Sequence, residues 1–537
     1  MPTTRDHEPL VIEDFTGWWS RGDAESAPSD HFIQADNVQY FQSGLETREG
    51  ITSYVNPSVI LKPLRIYNYI TQQGGTLLVL TEGGNIYHIK GSPRTIVGPI
   101  LTIAAMEDFG FVAINGRAYI SPFKTYTNEN GEKYQLGIQN EFIYVYKGDG
   151  TAARKAAGTP PVGPPMTAAM GAITTGIKSD AGFHIIGVVY ETDTGYFTSI
   201  GPDVKAEVTF TGTHDIVVSN IPVSPNAWVK KRHLVSTKMI PEYNGDQKGY
   251  QYFFIPGGNI DNNIDTTKTI NFFDADLLSD ASHLADNFAE IPAGVYLNTY
   301  HSRLVIVGEF GTTETLTGLP AGITDNRSIA RLSVAGEPEA INKVEGIIVV
   351  PLDGHPLTCV QEFRDVMYIF KKTRTYAYSD NYDEPVTWQE ELLDQGIGSP
   401  VHGIATVLDT GGVNIDFLII VDWSGLMLFN GVYAQPEMSW KIEDFWRGLD
   451  RNEFHLIQIV NDSINKKLWI TLPPPFRKVL LHADYKNGMN AKEIRWAKWI
   501  YDANINSITL AETDRLVLGA IGPDLISGNP TEILDVG

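Results

Sequence analysis

Asp261, Asn263 and Asp265 stand at alternate positions, the spacing of the first oxygen ligands in a calcium-binding loop. The pattern then departs from such a loop, because Thr266 stands where it needs a turn glycine and Phe272 where it needs a bidentate glutamate. The expectation is an Asx-rich turn without a metal. Asp365 or Asp422 with Glu390 would supply the two carboxylates of a glycoside hydrolase, but among 64 Asp and Glu such pairs arise by number alone. No G-x-S-x-G, H-E-x-x-H or P-loop occurs. The twelve histidines are scattered, and His88, His184 and His301 fall inside or beside strand patterns, where a satisfied or solvated imidazole is the ordinary case. Cys359 is the only cysteine, which excludes an intramolecular disulfide. A thiol nucleophile needs an activating base, and the sequence indicates none, so Cys359 reads as a small buried apolar residue. Arg21-Gly22-Asp23 spells a cell-attachment tripeptide, but three residues recur by chance. These residues together predict no catalytic, cofactor-binding or metal-ligating set, and no enzyme.

The elements that would position such residues are hairpins. In LIIVDWSGLMLFNG (418–431) an apolar run breaks at Ser424-Gly425, resumes, and breaks again at Asn430-Gly431. TLLVLTEGGNIYHIKG (76–91) turns at Gly83-Gly84, and FGFVAINGRAYIS (109–121) turns at Asn115-Gly116, a pair that tolerates the positive φ of a tight hairpin. Similar units recur at 303–310, 365–379, 466–472, 478–488 and 514–527 with little identity between copies. KAAGTPPVGPPM (155–166), with Pro160, Pro161, Pro164 and Pro165, interrupts them as an inter-domain linker. The segments that follow it, 182–202, 214–223, 230–239, 250–258 and 268–277, have the strand and turn spacing of an immunoglobulin-like or fibronectin-like sandwich. The hairpins resume after about residue 286.

A sandwich between two runs of hairpins implies an insertion into a larger, discontinuous domain, and radially stacked blades of roughly 40 to 50 residues explain the outer parts best. The predicted fold class is therefore all-β, a discontinuous β-propeller of six to eight blades with an inserted sandwich. The predicted domains are an N-terminal arm (1–55), the first part of the propeller (56–160), the sandwich (161–285) and the second part of the propeller (286–537). The arm is expected to be anchored, since Phe15, Trp18, Trp19, Phe32, Ile33, Val38, Tyr40 and Phe41 give it apolar area to bury. The N-terminus lacks the apolar core of a signal peptide and no stretch approaches 20 apolar residues, so neither secretion by that route nor membrane spanning is expected. A net charge of −23 argues against a grip on nucleic acid, which is driven by Lys and Arg neutralising phosphates.

Residues 14–51 carry DF-x-G, an acidic polar stretch, APSD, Asp36-Asn37-Val38 and SGLETREG. Asp14, Phe15, Gly17, Asp36, Asn37, Val38, Gly44, Leu45, Arg48 and Gly50 occupy the places that define the opening of bacteriophage tail nozzle proteins, and the stretch resembles that tail tubular protein B-like family of short-tailed phages. Trp18-Trp19 and Thr47-Arg48-Glu49 depart from it, where small residues and a basic cluster are usual. VVYETDTGYFTSIGP (188–202), AGVYLNTYHSRLVIVGE (293–309), SVAGEPEAIN (333–342) and DQGIGSPVHGIATV (394–407) resemble later parts of the same family in the same order.

That resemblance implies a structural virion protein of the phage tail, assembled in the host cytoplasm into a homohexameric ring. The ring would sit below an adaptor ring of the tail tubular protein A-like kind, near tail fibres or spikes and in contact with the host envelope. It would retain packaged DNA and open as the conduit for genome ejection, and double-stranded DNA would pass without specific binding. The acidic balance then has a use, since an anionic bore repels phosphates. Two other readings stand beside it. One is a receptor-binding or glycan-recognising propeller adhesin, favoured by ten Trp including Trp440, Trp446, Trp496 and Trp499. The other is a propeller glycosidase.

Overall fold

The computed structural model describes residues 17–535 apart from 29–30, 42–43, 48–51, 56–60, 72–73, 129, 174, 178, 279–289, 311–325, 343–345, 351–354, 395, 410–414, 432–437, 490–492, 512–514 and 523–530. Asp14, Phe15, Arg48 and Gly50 of the opening motif lie outside the described residues. The turn signals place the hairpins. Asn115 and Gly116 both take positive φ, 51° and 72°, and join Asp108–Ile114 to Arg117–Thr127 with Ile114 opposite Arg117. The Ser424 amide and hydroxyl both donate to the Asp422 carboxylate, which closes the hairpin of Ile415–Asp422 and Gly425–Phe429.

Among the described residues seven antiparallel sheets form the blades. Blade 1 runs Pro63–Thr71, Gly74–Thr81, Asn85–Lys90 and Thr95–Thr102. Blade 2 is Asp108–Ile114, Arg117–Thr127, Tyr144–Tyr146 and Arg154–Lys155, with Lys133–Gly137 extending its second strand. Blade 3 spans Tyr296–Tyr300 to Ile347–Ile348, and blade 4 spans Leu357–Phe363 to Glu390–Asp394. Blade 5 is the three strands Ile404–Asp409, Ile415–Asp422 and Gly425–Phe429, and blade 6 spans Ile459–Asp462 to Arg495–Ile500. Blade 7 joins Asn504–Leu510, Leu516–Ile521 and Thr531–Asp535 to Thr52–Ser53 from the other end of the chain. That last pairing fastens the ring, and the first strand of blade 7 lies against the first strand of blade 1.

The continuous apolar runs follow from this ring. Along a strand successive side chains point to opposite faces, and a blade is covered on both. Leu78 and Leu80 face Phe109 and Ile120 of blade 2, whereas Leu77 and Val79 face Val517 of blade 7. Leu418 and Ile420 pack on Phe370 and Tyr368 of blade 4, whereas Ile419 and Val421 pack on Leu468 and Ile470 of blade 6. A half-exposed sheet would instead alternate apolar with polar.

The inserted sandwich lies between blades 2 and 3 and stacks a three-stranded sheet (Thr167–Ile173, His214–Ser219, Thr267–Ile270) on a four-stranded one (Gly201–Phe210, Gly182–Thr192, Val229–Ser236, Phe253–Ile260). Ile186, Val188, Leu234 and Ile255 from one sheet meet Ile216, Val218 and Ile270 from the other. Its hairpin around Asp193 and Thr194 is fixed to the propeller. Arg154 of blade 2 donates to Asp193 (2.9 Å), Thr194 Oγ1 (2.8 Å) and Glu339 (3.1 Å), and its guanidinium lies 4.8 Å from the Trp228 ring centroid. The linker begins as core, since Ala156 and Ala157 are buried between blades 2 and 3.

The arm runs along blade 6. Gly17 (φ +104°) lies so close to Arg495–Trp496 that a Cβ there would sit 2.8 Å from the Trp496 nitrogen. The Trp18 amide and the Tyr40 hydroxyl both donate to Trp496 O, at 2.9 and 2.7 Å. Asp36 pairs with Lys498 (3.1 Å), and the Asn37 side chain accepts from the Ile500 amide (2.9 Å). Among the described residues no helix is long and apolar enough to cross a membrane.

Candidate ligand pocket at the propeller mouth

First strands converge on the propeller axis, so side chains from opposite blades meet there. Arg65 of blade 1 donates to Asp108 of blade 2 through Nε (2.9 Å) and Nη2 (2.6 Å), and through Nη1 to Gln458, which precedes blade 6 (2.8 Å). His402, just before blade 5, reaches the same Asp108 carboxylate at 3.0 Å. Ser507 of blade 7 donates to Gln458 Oε1 at 2.9 Å. Burial opposes ionisation of Asp108, but the charges of Arg65 and His402 outweigh it and hold the carboxyl at about 2. Burial lowers the pKa of His402, helped by Arg65. Tyr67, Phe109 and Phe123 pack around His402 and Asp108 and fill the axis further.

Beside this cluster opens a cavity of about 300 Å³ on the face that carries the turns between second and third strands. Blades 4 and 5 contribute Lys372, Thr373, Asp422 and Trp423 from those turns, and the approach to blade 6 adds Arg451, Asn452, Phe454 and His455. Blade 2 reaches across from the opposite side with Lys133, Tyr134 and Gln135. Lys133 pairs with Glu453, which ties that extension down. Lys372 and Arg451 have no carboxylate partner among the described residues, and the Arg451 guanidinium stacks 3.7 Å from the Trp423 ring centroid. Gln135 is only 9% exposed, and its Nε2 is buried with no hydrogen-bond partner. Among the described residues Asp422 is the one carboxylate in the lining, and its oxygens are taken by Ser424 and the Gly398 amide. Burial raises its pKa, and Lys133, Lys372 and Arg451 bring three cations to the lining in a chain of net charge −23.

The residues singled out from the sequence go elsewhere. Asp365 binds His301 Nε2 (2.6 Å) and Glu390 accepts from Tyr378 (2.6 Å), so the two carboxylates serve separate partners. His301, Glu362 and Asp365 come within 4.8 Å of one another, but both ring nitrogens of His301 face carboxylates, Asp380 and Asp365. Those hydrogen bonds raise its pKa and favour the imidazolium, which has no lone pair for a cation. His88 bonds Tyr146 (2.5 Å) and burial lowers its pKa to about 4, while His184 stacks on Phe210 and bonds Asp274 (3.0 Å). Cys359 is fully buried, and burial pushes its thiol up to about 12. Asp261 accepts from Asn259, Asn263 bonds the Ser224 backbone, and Asn262 caps the Ile264 and Asp265 amides, so the three alternate residues do not converge. Arg21 lies over Trp440, and the Gly22 amide donates to Asp444 (2.6 Å). Trp446, Trp496 and Trp499 are buried, and Trp440 is flanked by Trp19 and Arg21. Sequence reasoning missed Gln135, Lys372, Trp423 and Arg451. The signal for Trp423 was its place beside a hairpin turn, where side chains face a propeller mouth.

Seven radial sheets, a strand exchanged between chain ends and a side-chain-filled axis define a β-propeller with an inserted sandwich. No protein-family model and no curated protein sequence matches the chain. Among solved structures it is similar to Chaetomium thermophilum Raptor, at 8% identity and TM-score 0.34 over 91% of this chain, and it spans only 29% of that protein. The WD40 domain of SCAP from fission yeast aligns at 8% identity and TM-score 0.30, over 91% of this chain and 98% of that one. Kluyveromyces lactis Hsv2 aligns at 12% identity and TM-score 0.27, over 82% and 98%.

Proposed function

We propose that the chain is a structural subunit of a phage tail nozzle, forming a sixfold ring whose central bore, between copies, retains and then conducts DNA. The observation that carries this reading is the use made of the opening motif. Four of the six described residues that resemble the nozzle family, Gly17, Asp36, Asn37 and Val38, engage the single edge strand Arg495–Ile500 of blade 6, where Trp499 Nε1 donates to Val38 O at 2.9 Å. They act as one docking device, which gives their joint occurrence a physical reason. The filled axis adds a constraint: with Arg65, Asp108, His402 and Gln458 bonded across it, a duplex has no path through one propeller, and a conduit belongs between copies. Cyclic assembly by head-to-tail contacts supplies such a bore.

Imaging of purified rings or of assembled particles tests the reading. Six copies about one axis at the distal end of a short tail are expected, with more Asp and Glu than Lys and Arg facing inward. Reversing several bore carboxylates to Lys slows genome release at low salt and does so less as salt rises. A monomer or trimer at a fibre tip refutes the assignment, and unchanged ejection at low salt refutes its electrostatic part.

A further inference from the structure

The mouth pocket has a composition that neither the ring nor the conduit requires. Its cavity of about 300 Å³ lies in the size range of small-molecule sites. Two of its lining cations, Lys372 and Arg451, are exposed and have no carboxylate partner among the described residues. The single lining carboxylate is already engaged by Ser424 and Gly398, so an anion entering the cavity meets no free negative charge among the described residues. Trp423 (39% exposed), Tyr134 and Phe454 add apolar wall against which a C–H face can stack.

We infer that this pocket binds a small carboxylated saccharide, with the carboxylate at Lys372 and Arg451 and the apolar sugar face towards Trp423. The inference stands apart from the nozzle reading, because it needs only one folded propeller.

Titration of the full chain with glucuronate, followed by ligand-observed NMR and calorimetry, tests it, with glucose and inorganic phosphate as the comparison probes. Glucuronate is expected to bind saturably and to weaken as salt rises, while glucose and phosphate bind at least tenfold more weakly. Lys372→Gln and Arg451→Gln, both at exposed positions, each weaken glucuronate about tenfold or more. No saturable binding at millimolar glucuronate overturns the proposal. Glucose binding as tightly overturns the role of the cations, and phosphate binding as tightly overturns the role of the sugar ring.

Discussion

Replacing Asp108 with Asn removes one charge from the centre of the ring without removing its shape. The carboxyl, held at about 2 against an ordinary value of 3.8, contributes on the order of 2 kcal/mol through ionisation alone at about 1.36 kcal/mol per unit. The loss exceeds that, because Arg65 is only 4% exposed and the guanidinium would stay buried with no anion beside it. Breaking a buried pair from one side costs about 3–5 kcal/mol, whereas removing both charges costs far less. The denaturant midpoint, read by tryptophan fluorescence, should therefore fall strongly in Asp108→Asn and in Arg65→Met. The double variant should be less destabilised than the sum of the two, by roughly 1–3 kcal/mol. Because the folded pKa of Asp108 lies below its unfolded value, its contribution is complete above about pH 4 and is lost as the pH falls towards 2. Additive single effects, or an Asp108→Asn midpoint equal to that of the wild type, refute the claim that this pair organises the axis.

Gly17→Ala should loosen the arm, since a Cβ meets the Trp496 backbone at 2.8 Å in a left-handed conformation; hydrogen exchange at Trp18 and Lys498 should rise, and unchanged protection counts against the dock. Arg154→Met strands Glu339, 2% exposed, and should expose the linker before the sandwich to limited proteolysis, while residues 161–285 expressed alone should still give dispersed amide signals from their own inter-sheet core. A resistant variant or an unstructured fragment refutes each in turn. The raised pKa of His301 makes its pairing with Asp380 and Asp365 stabilising below the unfolded value near 6.5, with the contribution lost as the pH rises through the folded one. Asp380→Asn should move the imidazole titration downward in NMR, and an unmoved titration would show that the hydrogen bonds do not set it.

Local chemistry was enough to place the hairpins. Asn115-Gly116 and Asp422 to Gly425 form their turns from neighbouring residues alone, and the run Leu418 to Val421 announces a strand covered on both faces. A strand covered twice implies stacked sheets, which is why the all-β class and the inserted sandwich were legible in the sequence. The number of blades within the expected six to eight was not legible, because closure depends on Thr52–Ser53 pairing with Thr531–Asp535 across nearly the whole chain. The pocket was hidden for the same reason. Gln135, Lys372, Trp423 and Arg451 belong to four distant segments, each an ordinary loop or strand residue in its own neighbourhood. Only radial packing, which brings the mouths of opposite blades to one axis, gives them a common cavity, and no periodicity along the chain encodes that meeting.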